Sequence, residues 1–366
     1  MMGLWEDVSP EPVPPSSVLD AFWSLAAERL RLYLDRVRGA RGSMSSDPIV
    51  RTYRFTNAYR ACDRVSQHLI REVQYGFDQS PDEVIFRTIL FKIFNKIDTW
   101  ELLAARQAPS LANFDPDDLA VVLSDHMAHG NRIYSAAYIV PPVLDCPRPK
   151  HLGHLRLIAK MLDDDLPGRV RASGSLADVF WLLRAYSGIG DFLGFQLAVD
   201  ISYSTAVPFD DGGYVVAGPG AVDGISKCFP GTPRAAATSV IRKCCDLQEE
   251  EFHRRGIHFP GLFGRRLQPV DVQNLFCEIS KYSRVAFPGV TGTAGRTRIK
   301  QRYTSAGPLP TPFFPPKWGL RLPPSLGGFD PECASGDVCS DGAARMSPKF
   351  VEGAVTDKDG FLPLGV

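Results

Sequence analysis

Apolar residues recur at helical spacing along most of this chain, while the strict alternation of a half-buried strand is scarce. Residues 21–38 (AFWSLAAERLRLYLDRVR) set the pattern, with an apolar stripe on one face and arginines on the other. The same period predicts helices over 57–75, 81–95, 99–106, 115–129 and 152–164, then over 176–187, 192–202, 220–228, 234–256 and 270–282. Pro81 suits a first helical turn, and Ser110 and Asp115 suit helix caps. The best alternation, from Tyr214 to Ala217, predicts at most a small ribbon. The expected fold class is all-α, with one small strand element and irregular Pro/Gly-rich ends.

At 366 residues the chain can bury a proper core. Lys+Arg and Asp+Glu stand at 41 each, so only the placement of charge can point to a partner. Composition suggests three parts: an extension over 1–47 with one amphipathic helix and a Gly/Ser-rich linker, a dense helical body over 48–305, and a largely disordered tail over 306–366. The eight cysteines include no C-x-x-C pair, and the adjacent Cys244 and Cys245 are poorly placed for an ordinary disulfide. Residues 1–15 lack the apolar core of a secretory signal. No stretch approaches the ~18 uninterrupted apolar residues of a membrane span. These features predict reduced thiols in the cytoplasm, or in a nucleus if the source has one, and no membrane partner. His126 with His129, and His151 with His154, stand three apart, but nothing around them completes a metal site. No cofactor is expected.

Four segments could carry chemistry. In LLRAYSGIGDFLGFQ (182–196) a helix runs into Gly188-Ile189-Gly190 and another begins at once. This G-x-G resembles the helix-hairpin-helix of DNA-repair glycosylases, whose glycines let backbone amides approach a phosphate. A tight helix–helix turn needs the same glycines. In those glycosylases a catalytic aspartate follows the second helix, and Asp210-Asp211 falls there. A carboxylate so placed could activate water or stabilise an oxocarbenium-like sugar cation, or the pair could simply form a polar turn before Gly212-Gly213. The Schiff-base lysine of the bifunctional enzymes is replaced by Phe192, which argues against a lyase step.

The second segment, VAGPGAVDGISKCF (216–229), opens a helix with Gly218-Pro219-Gly220, a possible amide nest for phosphate with Lys227 one to two turns on. It is not a Walker A loop: G-x-x-x-x-G-K-[ST] occurs nowhere in the sequence, which counts against a self-sufficient P-loop kinase. The third, PVDVQNLFCEISKYSR (269–284), puts Gln273, Cys277 and Lys281 on one helical stripe and Asn274, Glu278 and Tyr282 on the next. Those groups could read a base edge or form a solvated face. The fourth, FKIFNKIDTWE (91–101), offers Asn95 as a base-contacting wedge or, more economically, a helix cap.

Charge placement supplies the partner. Between Ile279 and Phe329 there are eight Lys or Arg and no acid, and the dense part, GRTRIKQRY, carries Arg296, Arg298, Lys300 and Arg302 in alternation. Such a stretch suits an extended strand lying on phosphates.

FTNAYRACDRVSQHLIREV (55–73), FKIFNKIDTWELL (91–103), VVAGPGAVDGISKCF (215–229) and VDVQNLFCEISKYSR (270–284) together resemble the helical domain found with 5-hydroxymethyl-deoxyuridine DNA kinases, also called alpha-glutamyl/putrescinyl-thymine pyrophosphorylase-like. The resemblance covers about 51–303. It implies a helix-hairpin-helix, glycosylase-like bundle and DNA with modified pyrimidines as the partner, with roles in synthesis or in antiviral defence. Two functions follow as expectations. The first is a base-flipping DNA glycosylase in which Gly188, Gly190, Gly218, Gly220, Lys227 and the arm hold DNA. Asn95, Gln273, Asn274, Glu278 and Lys281 would then line a base pocket, and Asp210 or Asp211 would promote hydrolysis. The second is a non-catalytic DNA-binding module that works with a separate kinase or transferase.

Overall fold

The computed structural model describes residues 16–40, 44–136, 140–143, 148–323 and 326. Among them the secondary structure is helical, and the only β pairings are two isolated antiparallel bridges, Tyr53 with Arg302 and Leu262 with Arg265. The chain runs through α1 (Ser17–Val37), α2 (Pro48–Thr52), α3 (Arg64–His68), α4 (Pro81–Phe94), α5 (Ile97–Arg106), α6 (Pro116–Ala128) and α7 (Lys150–Asp163). It continues through α8 (Leu166–Arg171), α9 (Leu176–Arg184), α10 (Asp191–Ser202), α11 (Pro219–Cys228), α12 (Ala237–Asp246), α13 (Gln248–Arg254) and α14 (Pro269–Ala286). The all-α expectation holds. The ribbon expected at Tyr214–Ala217 does not form; Tyr214 instead packs its ring against Phe180 and Phe195.

Most boundaries follow local chemistry. Asp115 caps α6 by accepting from the amides of Asp117 and Asp118, with Pro116 at the first position. Ser110 caps a short 3-10 turn, Leu111–Asn113, rather than the α-helix. Asn95 closes α4 in the left-handed region at φ 49°, its amide bonded to Phe91 O, so it is a cap. The continuous helix expected over 57–75 is broken into a 3-10 turn (Arg60–Cys62), α3 and a π-helical segment (Leu69–Gln74), because Asn57 bonds Asp63 instead of continuing a ladder. That expected over 234–256 is split at Leu247 into α12 and α13.

The core is centred on α14. Phe276 stacks on Phe22 of α1 at 4.5 Å, and α1 also ties to α11 through Ser16, whose amide donates to Cys228 O and whose hydroxyl donates to Lys227 O. The helix expected in an N-terminal extension is therefore part of the core. Helices α11 and α14 touch backbone to backbone at Gly224, where a Cβ would fall 2.0 Å from Phe276 O. At the other end, residues 307–320 do not float free. Gln67 donates to Phe313 O and accepts from Phe313 N, Arg64 and Arg71 hold further carbonyls of the segment, and Phe314 is buried. Residues 324–325 and 327–366 of the expected tail lie outside the described residues.

Candidate nucleic-acid interface

The hairpin between α9 and α10 turns as the sequence requires. Gly188 takes φ +86° and Gly190 caps α10. The next residue spoils the site as a phosphate grip. Asp191, the first residue of α10, places an exposed carboxylate at that helix N-terminus and pairs with Arg184 across the hairpin. An acid there stabilises the helix and repels a second anion.

Helix α10, the Gly218-Pro219-Gly220 turn and α14 do converge. A Cβ on Gly218 would lie 2.8 Å from the Phe192 ring and 3.4 Å from Gln273 Nε2, and one on Gly220 would lie 3.0 Å from Cys277 Sγ. These glycines serve close packing. Lys227 is buried, pairs with Asp223 at 3.1 Å and donates to Ser280 O, so its ammonium is spent inside the fold. Gln273 is fully buried; Nε2 donates to Cys277 Sγ at 3.3 Å, and Oε1 has no hydrogen-bond partner among the described residues. Asn274 is half-buried beside it. Asn95 is distant in the chain and used as a cap. Glu278 accepts from Thr56 N and pairs with Lys281 at 2.6 Å, while Lys281 also reaches Arg54 O. The last pair thus knits α14 to the segment after α2.

Asp210 and Asp211 occupy different environments. Asp210 is half-exposed and accepts from Gly212 N. Asp211 is buried and clamped by Arg265 at 2.5 Å; burial pushes its carboxyl up, and the guanidinium opposes that. Arg265 lies 4.0 Å over the Trp318 ring. Beside Trp318, Lys317 Nζ donates to three carbonyls, Ser204, Val207 and Phe209, and burial lowers it to about 8. The segment carrying Lys317, expected to belong to a largely disordered tail, is instead pinned over the loop that carries the aspartates.

The charged centre of the molecule was not legible as a motif. Asp200 is buried between Arg60 at 2.6 Å and Lys92 at 2.9 Å. Burial works to raise its carboxyl, but the two cations overcome that and hold it below the usual range. Arg60 also donates to Gln196 Oε1 at 2.8 Å, and its amide donates to Asp271. The available signal was Gln196 and Asp200, one turn apart in an otherwise apolar helix. With every charge paired and buried, this centre can specify geometry but has no group exposed for acid–base work.

The arm offers the opposite situation. It starts where Ala294 N donates to Asp223 Oδ1 at 2.7 Å, passes Arg284, which donates to Arg298 O, and pairs with the segment after α2. There Arg54 N donates to Gln301 O and Tyr303 N donates to Thr52 O, so Tyr53 and Arg302 face each other as a non-hydrogen-bonded antiparallel pair. Arg296, Arg298, Lys300 and Arg302 are all exposed, as are Arg51 and Arg54 opposite. The first four were legible from alternation; Arg51 and Arg54 were not, because only the pairing brings them alongside.

The structure thus presents a helical body joined to an exposed cationic ribbon, and comparison with known proteins gives its family. Residues 16–292 match the family model described as "5-hmdU DNA kinase, helical domain". The chain belongs to this family. It is 22% identical over 292 residues to the curated 5-hmdU DNA kinase of Bacillus phage SP10, covering 74% of this chain and 46% of that protein. The chain thus matches less than half the length of that relative. No solved structure matches. Among the described residues no helix is long and apolar enough to cross a membrane.

Proposed function

We propose that this chain is a DNA-handling helical module that presents 5-hydroxymethyluracil in DNA to a kinase active site carried by a separate polypeptide. The observation that carries this reading is the family match over 16–292. It favours the module over the base-hydrolysing enzyme, and the local geometry agrees: Asp211 is clamped by Arg265 and buried, and Gly188–Gly190 leads into Asp191. Phosphoryl transfer is supplied in trans, where a nucleotide-binding loop and metal would sit.

Nucleoside and free-base mass spectrometry on duplex DNA containing 5-hydroxymethyluracil tests the division of labour. With ATP and the chain alone, neither abasic sites nor a phosphorylated base is expected. With a P-loop kinase that acts on 5-hydroxymethyluracil added, phosphorylation is expected to rise when the chain is present. Release of free base by the chain alone, abolished by Asp211→Asn, would overturn the module in favour of a glycosylase.

A further inference from the structure

Several exposed arginines elsewhere on this molecule are neutralised locally, although others, Arg38, Arg132, Arg148 and Arg234 among them, form no ion pair among the described residues. Arg31 pairs with Glu28 and Asp35, Arg106 with Asp118, Arg156 with Asp117, and Arg171 with Asp82. The six cations around the Tyr53–Arg302 pairing differ from that paired set: none forms an ion pair with a carboxylate among the described residues. Glu278, close by, is already engaged by Lys281 and Thr56 N. Arg296 and Arg284 even press like charges together, which adds to the burial that lowers the Arg284 guanidinium. The ribbon is also held in place, by Asp223 at its start and by backbone bonds to 52–54 at its end. An ordered, uncompensated cluster of this kind concentrates positive potential on one ridge.

We infer that this two-stranded ridge, Arg51 and Arg54 with Arg296, Arg298, Lys300 and Arg302, is the surface against which the sugar–phosphate backbone of DNA lies. The inference rests on the DNA-handling reading above and names the binding face for it. Cations at alternate positions of an extended segment stand about 6.7 Å apart, a spacing suited to a linear polyanion rather than to a single carboxylate. A lipid surface fits less well. Membrane-lying segments interleave exposed apolar residues with their cations, and the one apolar residue between 296 and 302, Ile299, is half-buried.

The test is fluorescence anisotropy of a labelled duplex across a salt series. Three variants are compared with the wild type: Arg51→Gln with Arg54→Gln; a quadruple glutamine variant at 296, 298, 300 and 302; and Arg156→Gln with Arg171→Gln. The last removes the same net charge as the first, but from locally paired arginines. Both ridge variants are expected to bind about tenfold or more weakly and to lower the log–log salt slope by about 0.9 for each phosphate no longer neutralised. The paired-arginine variant stays within about twofold of wild type. If wild type binds DNA but Arg51→Gln/Arg54→Gln behaves like the paired-arginine control, the ridge is wrong and the DNA reading stands. If wild type binds no DNA, the reading beneath it fails as well. Binding to anionic phosphatidylserine vesicles as tight as to duplex would also overturn the ridge.

Discussion

Two sets of charges in this molecule obey opposite rules. At the centre, Asp200, Arg60 and Lys92 are withdrawn from water, and Asp211 is buried against Arg265, so that each of these charges meets one of opposite sign. On the ribbon formed by 51–54 and 296–303, cations stand in water with no carboxylate partner among the described residues. A buried charge that loses its partner is left with the full desolvation cost, so the inner set fixes geometry and tolerates little change. An exposed charge costs little unpaired and keeps its field for something outside the chain. Residue type alone does not separate the sets. Lys227 and Arg296 were equal candidates for phosphate, and the fold puts one inside against Asp223 and leaves the other out.

The sharpest way to break the comparison is at Asp200. Asp200→Asn leaves Arg60 and Lys92 facing each other uncompensated, and we expect a loss of about 3–5 kcal/mol by urea denaturation. That is a large part of an ordinary domain's stability of about 5–15 kcal/mol. A loss below about 1 kcal/mol would mean that water reaches the site and that the inner set is not special. Next in size is Lys317→Met, which strips the donor from the carbonyls of Ser204, Val207 and Phe209. A loss of about 1–3 kcal/mol is expected, with Trp318 fluorescence shifted as the strap loosens.

Smaller effects are expected from pH. Burial raises Asp63 to about 6 and raises Asp271 in the same direction, with Asp211 adding to the latter. A carboxyl raised in the folded state binds its proton more tightly there than in the unfolded chain. Its favourable contribution is therefore complete below the unfolded value of about 4 and is lost as pH rises through about 6. Stability should fall over that interval, and Asp63→Asn, which keeps an acceptor for both Asn57 donors, should flatten part of the fall. Thermal unfolding at several pH values reads this. An unchanged slope in the variant would rule out Asp63 as a source of the fall. Asp200 acts in the opposite sense and at lower pH, since its carboxyl is held down.

How much of this was legible in the sequence follows from range. Period and capping are local, so α4, α6 and α10 could be read off with their ends nearly in place, and α14 with its start in place but its end a turn short. The run without acids was local too, and it located the arm. What the sequence did not show were partners far along the chain. The counter-ions of Asp200 come from positions 60 and 92, and Arg265 reaches Asp211 from a different loop. Glu278 and Lys281 read equally well as a base-contacting pair, until Thr56 N and Arg54 O turned out to occupy them. The breaks at 57–63 and at Leu247 were hidden for the same reason, because apolar periodicity continues across them while the backbone does not.

The claim that inner charges make the fold while outer ones hold DNA is met most directly by measuring both properties on two proteins. Calorimetric unfolding and duplex affinity are recorded for Asp200→Asn and for the quadruple glutamine variant of the arm. Asp200→Asn is expected to lose stability while binding DNA as wild type does when folded. The arm variant is expected to keep its stability within about 0.5 kcal/mol and to lose DNA affinity. An arm variant that unfolds early yet binds DNA undiminished would contradict the claim.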